Sequence, residues 1–315
     1  MKNIFGFLLL TFALGTGNNY AQSSAKAYIV CDLKTGHILD QSNPNQKSQV
    51  ASLTKIATAM VAIDWAKAQK EDLNTTIIVP QSALAIGGVN PIGLAPGDSL
   101  SLRDLIYASL LQSDNIAAYT LASHIGGRLK ELDKTSDPKL HSIKNADYFV
   151  RQMNALAVKL QMKKTIFLNP CGLDNVERPY STAADMARLT RYAMEDAGFR
   201  FYVSQKERKI SIAREGQSIE YLLKNTNELL GSNNIDGVKT GQTAKAGSCL
   251  ILSAARSVEI KKEGEVIHAT PRRLIVVVLN APDRFRAGES LLIKGWNAYD
   301  SWAAQGRPLD KKTTL

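Results

Sequence analysis

Cysteine is scarce in this chain, with 3 among 315 residues, which excludes a small scaffold stapled by disulfides. No segment after the N-terminal leader offers a run of about 18 apolar residues, so nothing later in the chain reads as a membrane span. Histidine is rare as well. His37, His124, His141 and His268 form no His-Glu-x-x-His pattern, and zinc hydrolysis has no support. Gly-x-Ser begins at Gly97, Gly216 and Gly288 but never extends to Gly-x-Ser-x-Gly, so the nucleophile elbow of α/β-hydrolases is absent. Internal repeats and low-complexity linkers are missing. What remains is ordinary globular composition, 44% apolar and 22% charged, and that excludes disorder, collagen and coiled coil. No metal ligand set or cofactor motif stands out.

The formal charge is +10. A basic protein favours an anionic environment such as cell wall or membrane surface, although surface lysines kept for solubility explain it equally well. No basic-aromatic stripe supports nucleic acid. Residues 1–21 read as a secretory leader: Lys2, the apolar run Ile4–Leu14, then small and polar residues ending at Ala21. Asn19 is a poor residue at the −3 position. The run is too short to span a bilayer, which takes about 20 residues. Cys31 follows Tyr28-Ile29-Val30, not a lipoprotein-like context. The expectation is a protein secreted to the periplasm or cell-wall space, with no transmembrane anchor after cleavage.

Beyond the leader, residues 22–315 read as one domain. Residues 27–40 alternate and turn at Lys34-Thr35-Gly36, a hairpin. Residues 52–70 switch to helical spacing, with Ile56, Ala59, Met60 and Ile63 on one face. A capping pattern, Ser101-x-x-Asp104, opens a helical stretch over 101–126, and Thr182-x-x-Asp185 opens another. After about 233 the signal turns to strands: Asn234–Thr240 closed by Gly241, Ser248–Ala255, and Arg273–Asn280. The polar tip Lys261–Glu265 lies between the last two. A helix over 287–304 follows. The order predicts an α+β fold, an antiparallel sheet flanked by helices with an all-helical subdomain over roughly 66–230.

Three motifs follow one another. Ser52-Leu53-Thr54-Lys55 opens the first helix, where residues i and i+3 are neighbours, so the Lys55 amine can reach the Ser52 hydroxyl. An ordinary lysine, with a pKa near 10.4, is no base at neutral pH. Partial burial and a nearby cation, for which Lys239 is the candidate, would make it one. Helical backbone N–H groups beside Ser52 suit a developing oxyanion. In Ser113-Asp114-Asn115, the Ser113 hydroxyl can relay a proton to a leaving amine and the Asn115 amide can bond a substrate carbonyl. In Lys239-Thr240-Gly241, cation and hydroxyl suit a carboxylate, and Gly241 leaves room for a peptide along the strand. The second copy, Lys34-Thr35-Gly36, reads as a turn.

Each motif alone is weak, but the ordered set is that of penicillin-binding proteins and class A β-lactamases. With its flanks the chain resembles the low-molecular-mass penicillin-binding proteins, serine D-alanyl-D-alanine carboxypeptidases and endopeptidases, over most of residues 26–303. Those flanks are Ala51, Asn169-Pro170-Cys171-Gly172-Leu173, Ser181-Thr182-Ala183-Ala184-Asp185-Met186, Asn225-Thr226-Asn227 with Leu229-Leu230, and Ala246-Gly247. The resemblance implies a β-lactamase/transpeptidase-like fold with a five-stranded sheet. It implies that Ser52 attacks the carbonyl between two D-alanines of a peptidoglycan stem peptide and that Lys55 takes its proton. Ser113 and Lys239 would pass a proton to the departing residue, while Thr240 and Lys239 hold its carboxylate and Asn115 positions the peptide. The Ser52 and Gln242 N–H groups would form the oxyanion hole. β-Lactam antibiotics would acylate Ser52.

Two alternatives stand beside this. Asp114, where many relatives have glycine, matches class A β-lactamases. Those enzymes need a Glu-x-x-Leu-Asn loop, and here Thr165-Ile166-Phe167-Leu168-Asn169 carries threonine in its place. A non-catalytic wall-binding protein is the second. Cys31 and Cys249 fall on predicted strands as small core residues, and one disulfide is compatible with export. The loop at Cys171 would leave that thiol open to oxidants.

Overall fold

The computed structural model describes residues 25–133, 142–174 and 178–315. The leader and His141 lie outside the described residues. Elements follow in the order β1 (Ala27–Asp32), β2 (Ile38–Ser42), a 3-10 turn (Ala51–Thr54), α1 (Lys55–Gln69), β3 (Thr76–Ile78), β4 (Ser99–Ser101), α2 (Leu102–Leu111) and α3 (Asn115–Leu132). Next come α4 (Asn145–Lys159), α5 (Ala183–Glu195), α6 (Ala197–Val203), β5 (Glu207–Arg214), β6 (Gln217–Lys224), β7 (Ile235–Thr243), β8 (Gly247–Glu263), β9 (Val266–Ala281) and α7 (Arg284–Ala304).

The main sheet has five strands in the order β2-β1-β9-β8-β7, and every pairing in it is antiparallel. The run Leu274-Ile275-Val276-Val277-Val278-Leu279 is buried throughout because β9 lies at the centre, covered on both faces. Its side chains divide with period two. Ile275, Val277 and Leu279 join a large core with α1 and α5. Leu274, Val276 and Val278 join a second core with Leu291, Leu292, Trp296 and Tyr299 of α7.

Expectation and structure differ in four places. The region over 66–230 is not all helical: β3, β4, β5 and β6 form a second sheet of four strands. The helix expected from residue 52 begins as a 3-10 turn and becomes α-helical only at Lys55. It is buried on nearly every side rather than on one face, the pattern of a central helix. The stretch 101–126 breaks into α2 and α3, because Ser113 takes a left-handed φ of 63° and Asp114 starts a new helix by accepting the Ala117 N–H at 2.8 Å. Gly241 lies inside β7 rather than closing it. The two expected caps form, Ser101 accepting from Asp104 N and Thr182 from Asp185 N, each at 3.0 Å.

Candidate active site

Ser52 sits on the 3-10 turn that feeds α1, half-exposed, while Lys55 beneath it is wholly buried. Lys55 Nζ lies 3.0 Å from Ser52 Oγ. It also donates to Asn115 Oδ1 at 2.7 Å and to the Cys171 carbonyl at 3.1 Å. A neutral amine has two N–H groups and one lone pair. Two fixed carbonyl acceptors therefore leave the lone pair facing the serine hydroxyl. Burial lowers the Lys55 pKa and so favours that neutral form, partly opposed by Cys171 and Asp114.

Each acceptor is fixed by its own sequence. Asn169 Oδ1 takes the N–H groups of Cys171, Gly172 and Leu173 at 3.1, 2.8 and 3.0 Å. That knot aims the Cys171 carbonyl inward. Gly172 holds φ of 82°, and a Cβ there would lie 1.9 Å from the Ala51 carbonyl oxygen, so no other residue fits. Asn115 is also buried, with Nδ2 donating to the Gly87 carbonyl at 3.1 Å and its backbone N–H to Val89 at 3.0 Å. Of the Asn115 amide, one N–H remains for a substrate carbonyl.

β7 is an edge strand of the five-stranded sheet and passes directly beside the nucleophile turn. A Cβ on Gly241 would meet Ser52 N at 3.0 Å, Leu53 N at 3.1 Å and the Val50 carbonyl at 3.1 Å. Gly241 thus permits strand and turn to touch, which brings Gln242, exposed on that edge, beside Ser52. Thr240 Oγ1 pairs with Thr226 Oγ1 at 2.7 Å, and Asn227 Nδ2 donates to the Gly237 carbonyl at 3.1 Å. These bonds account for the Asn225-Thr226-Asn227 flank.

Lys239 is as buried as Lys55 and donates to the Thr240 carbonyl at 3.0 Å. Burial, then the Lys55 and Arg284 charges, hold its pKa well below the usual lysine range. The sequence reading made Lys239 the cation that depresses Lys55. The electrostatics run the other way: burial shifts Lys55, and Lys55 disfavours charge on Lys239. A bound carboxylate would restore that charge. Ser113 is half-buried between α2 and α3, and no hydrogen bond joins it to Lys239 among the described residues. Arg284, which the sequence reading passed over, reaches the Gly241 carbonyl at 3.1 Å. It sits at the start of α7 with no motif to mark it.

The cysteines are free and buried, so no disulfide forms among them. Cys171, expected to be open to oxidants, is 1% exposed, and burial pushes its thiol up to about 11. A thiolate nucleophile is disfavoured there. His37 stacks on Trp302 with centroids 4.3 Å apart, and His124 meets the edge of Trp65; both are structural. No cluster of metal-ligating residues occurs among the described residues.

The model of the D-alanyl-D-alanine carboxypeptidase family matches residues 15–283. The chain belongs to this family. It is 33% identical over 301 residues to D-alanyl-D-alanine carboxypeptidase DacC of Escherichia coli, with 93% of this chain and 66% of that protein covered. It is 31% identical over 228 residues to a D-alanyl-D-alanine endopeptidase of Pseudomonas aeruginosa, covering 71% and 65%. The chain therefore spans just under two thirds of the length of these curated relatives. The crystal structure of the Streptomyces K15 DD-transpeptidase superposes with a TM-score of 0.70 at 25% identity, covering 89% of this chain and 98% of that one. The antiparallel sheet and helical layers are those of this structural family.

Proposed function

We propose that the protein is a serine DD-peptidase that cleaves after the penultimate D-alanine of peptidoglycan stem peptides, outside the cytoplasm, and that β-lactams acylate the same serine. The observation that carries this is the 3.0 Å approach of Lys55 Nζ to Ser52 Oγ, with the other Lys55 contacts directed at two carbonyl oxygens.

In this reading neutral Lys55 removes the Ser52 proton as Oγ attacks the scissile carbonyl. The oxyanion is held by the backbone N–H groups of Ser52 and Gln242. The C–N bond breaks, and Ser113 delivers the proton from the Lys55 ammonium to the departing amine. Lys239, Thr240 and Arg284 face the leaving residue's carboxylate. Water then attacks the ester, leaving a shortened peptide and free Ser52. No described helix is long and apolar enough to cross a membrane, and the leader motif supports export.

The β-lactamase alternative loses support at Thr165, whose hydroxyl is occupied by Ser181 at 2.8 Å and Asp185 at 2.9 Å. Asp114 offers no substitute base, being fully buried with Oδ1 committed to the cap of α3. Incubation with a stem pentapeptide is expected to release D-alanine. Stoichiometric acylation with slow nitrocefin turnover is expected too; rapid nitrocefin turnover with no peptide cleavage overturns the reading. Carboxypeptidase and endopeptidase action differ only in the leaving amine, free D-alanine or a cross-linked diamino acid. Mass analysis of products from uncross-linked and cross-linked muropeptides assigns it.

A further inference from the structure

The β5–β6 ribbon contributes no motif and no residue to the chemistry, yet three of its side-chain contacts converge on the segment that holds the active site. Arg214 forks Asp98, with Nε to Oδ1 at 2.7 Å and Nη2 to Oδ2 at 2.6 Å, and reaches the Gly93 carbonyl at 2.8 Å. Tyr221 Oη donates to the Pro91 carbonyl at 3.1 Å. The same oxygen accepts from Gln112 Nε2 at 3.1 Å.

Both ends of the Tyr221 bridge lead to predicted catalytic groups. Pro91 lies in the loop whose Gly87 and Val89 carbonyls bind the Asn115 side chain and backbone, and Asn115 in turn binds Lys55. Gln112 immediately precedes Ser113, the residue in the left-handed conformation. The Gln112 side-chain oxygen is buried without a partner, so Tyr221 is the polar group that fixes the orientation of that amide. A residue held in αL persists when its surroundings over-determine it, and this bridge is one such constraint.

We infer that Tyr221 is a positioning residue: through one hydroxyl it sets Ser113 from below, by way of Gln112, and Asn115 from the side, by way of the Gly87–Gly93 loop. It touches neither substrate nor reacting atoms. Its loss therefore acts on the rate of bond making at Ser52 and not on ligand affinity. The inference rests on the proposed acyl-enzyme mechanism.

The test is single-turnover acylation by a fluorescent penicillin, resolved into a saturating rate and an apparent binding constant, for wild type, Tyr221→Phe, Gln112→Leu and the double variant. Tyr221→Phe is expected to lower the saturating rate about tenfold, to move the binding constant less than about threefold, and to shift Tm by no more than about 3 °C. The double variant is expected to acylate at about the rate of the slower single variant, since the two changes break one contact. A saturating rate within twofold of wild type in Tyr221→Phe overturns the inference, as does full additivity in the double variant. No labelling of wild type overturns the acyl-enzyme reading itself; labelling of wild type with an unaffected Tyr221→Phe overturns this inference alone.

Discussion

Asn115 Oδ1 accepts from Lys55 Nζ at 2.7 Å, the shortest contact the buried lysine makes. This bond joins the start of α3 to the start of α1 and decides where the amine points. Asn115→Ala removes it and also frees the Gly87 carbonyl. Acylation by a penicillin is expected to fall about 100-fold, the scale on which loss of one fixed polar group in a catalytic site is felt. Stopped-flow labelling checks the loss.

Asp114 supplies the negative charge nearest this network. It caps α3 and opposes the burial-driven lowering of Lys55, along with Cys171. Asparagine caps a helix as well as aspartate does, so Asp114→Asn changes the charge and little of the fold. Lys55 acts as a base only when neutral, and its acid limb follows its own pKa, already below the usual lysine value. Removing a charge that favours the ammonium lowers that pKa further. The acid limb of acylation against pH is expected to move to lower pH in Asp114→Asn; an unmoved limb contradicts this electrostatic role.

Gly241 is where strand β7 meets the nucleophile turn. A methyl group there would press on the N–H groups of Ser52 and Leu53. Gly241→Ala is expected to slow acylation by at least tenfold, because the oxyanion site must open to admit it. The same substitution at Gly216, a positive-φ turn glycine with nothing near its Cβ position, is the control and is expected to leave acylation unchanged.

Asp98 gives a prediction about stability. Its side chain is buried, and the Arg214 hydrogen bonds hold its pKa below the usual carboxylate range. A depressed folded pKa stabilises above the unfolded value, near 3.9, and that contribution disappears as pH falls through the folded value. Asp98→Asn is therefore expected to lower Tm at pH 7 by a few degrees, and the difference from wild type is expected to shrink below about pH 4. Thermal melts across that range check it.

The sequence displayed what is local. Ser52 and Lys55 are one turn apart, so their meeting follows from spacing. The caps at Ser101 and Thr182 were legible for the same reason, as was the central strand of unbroken apolar residues. Partners far apart in sequence were not. Nothing in the Cys171 side chain announces that its backbone carbonyl binds Lys55, since Asn169 does the aiming. Nothing in Tyr221 or Arg284 marks either as a neighbour of the site. The second sheet was missed although Ile210 and Ile212 alternate with polar residues before the Glu215-Gly216 turn. Its β3 and β4 partners, three residues each, are too short to register. The break at Ser113 was hidden because apolar residues continue at helical spacing on both sides of it.

The central claim is that one serine becomes the nucleophile because a buried amine faces it. Intact-mass spectrometry of the purified protein after reaction with benzylpenicillin, followed by peptide mapping, tests this most directly. One covalent adduct per chain on Ser52 is expected, with none in Ser52→Ala and slow or no addition in Lys55→Ala. A wild-type protein that gains no mass, or a Ser52→Ala variant that gains the same adduct, would contradict it.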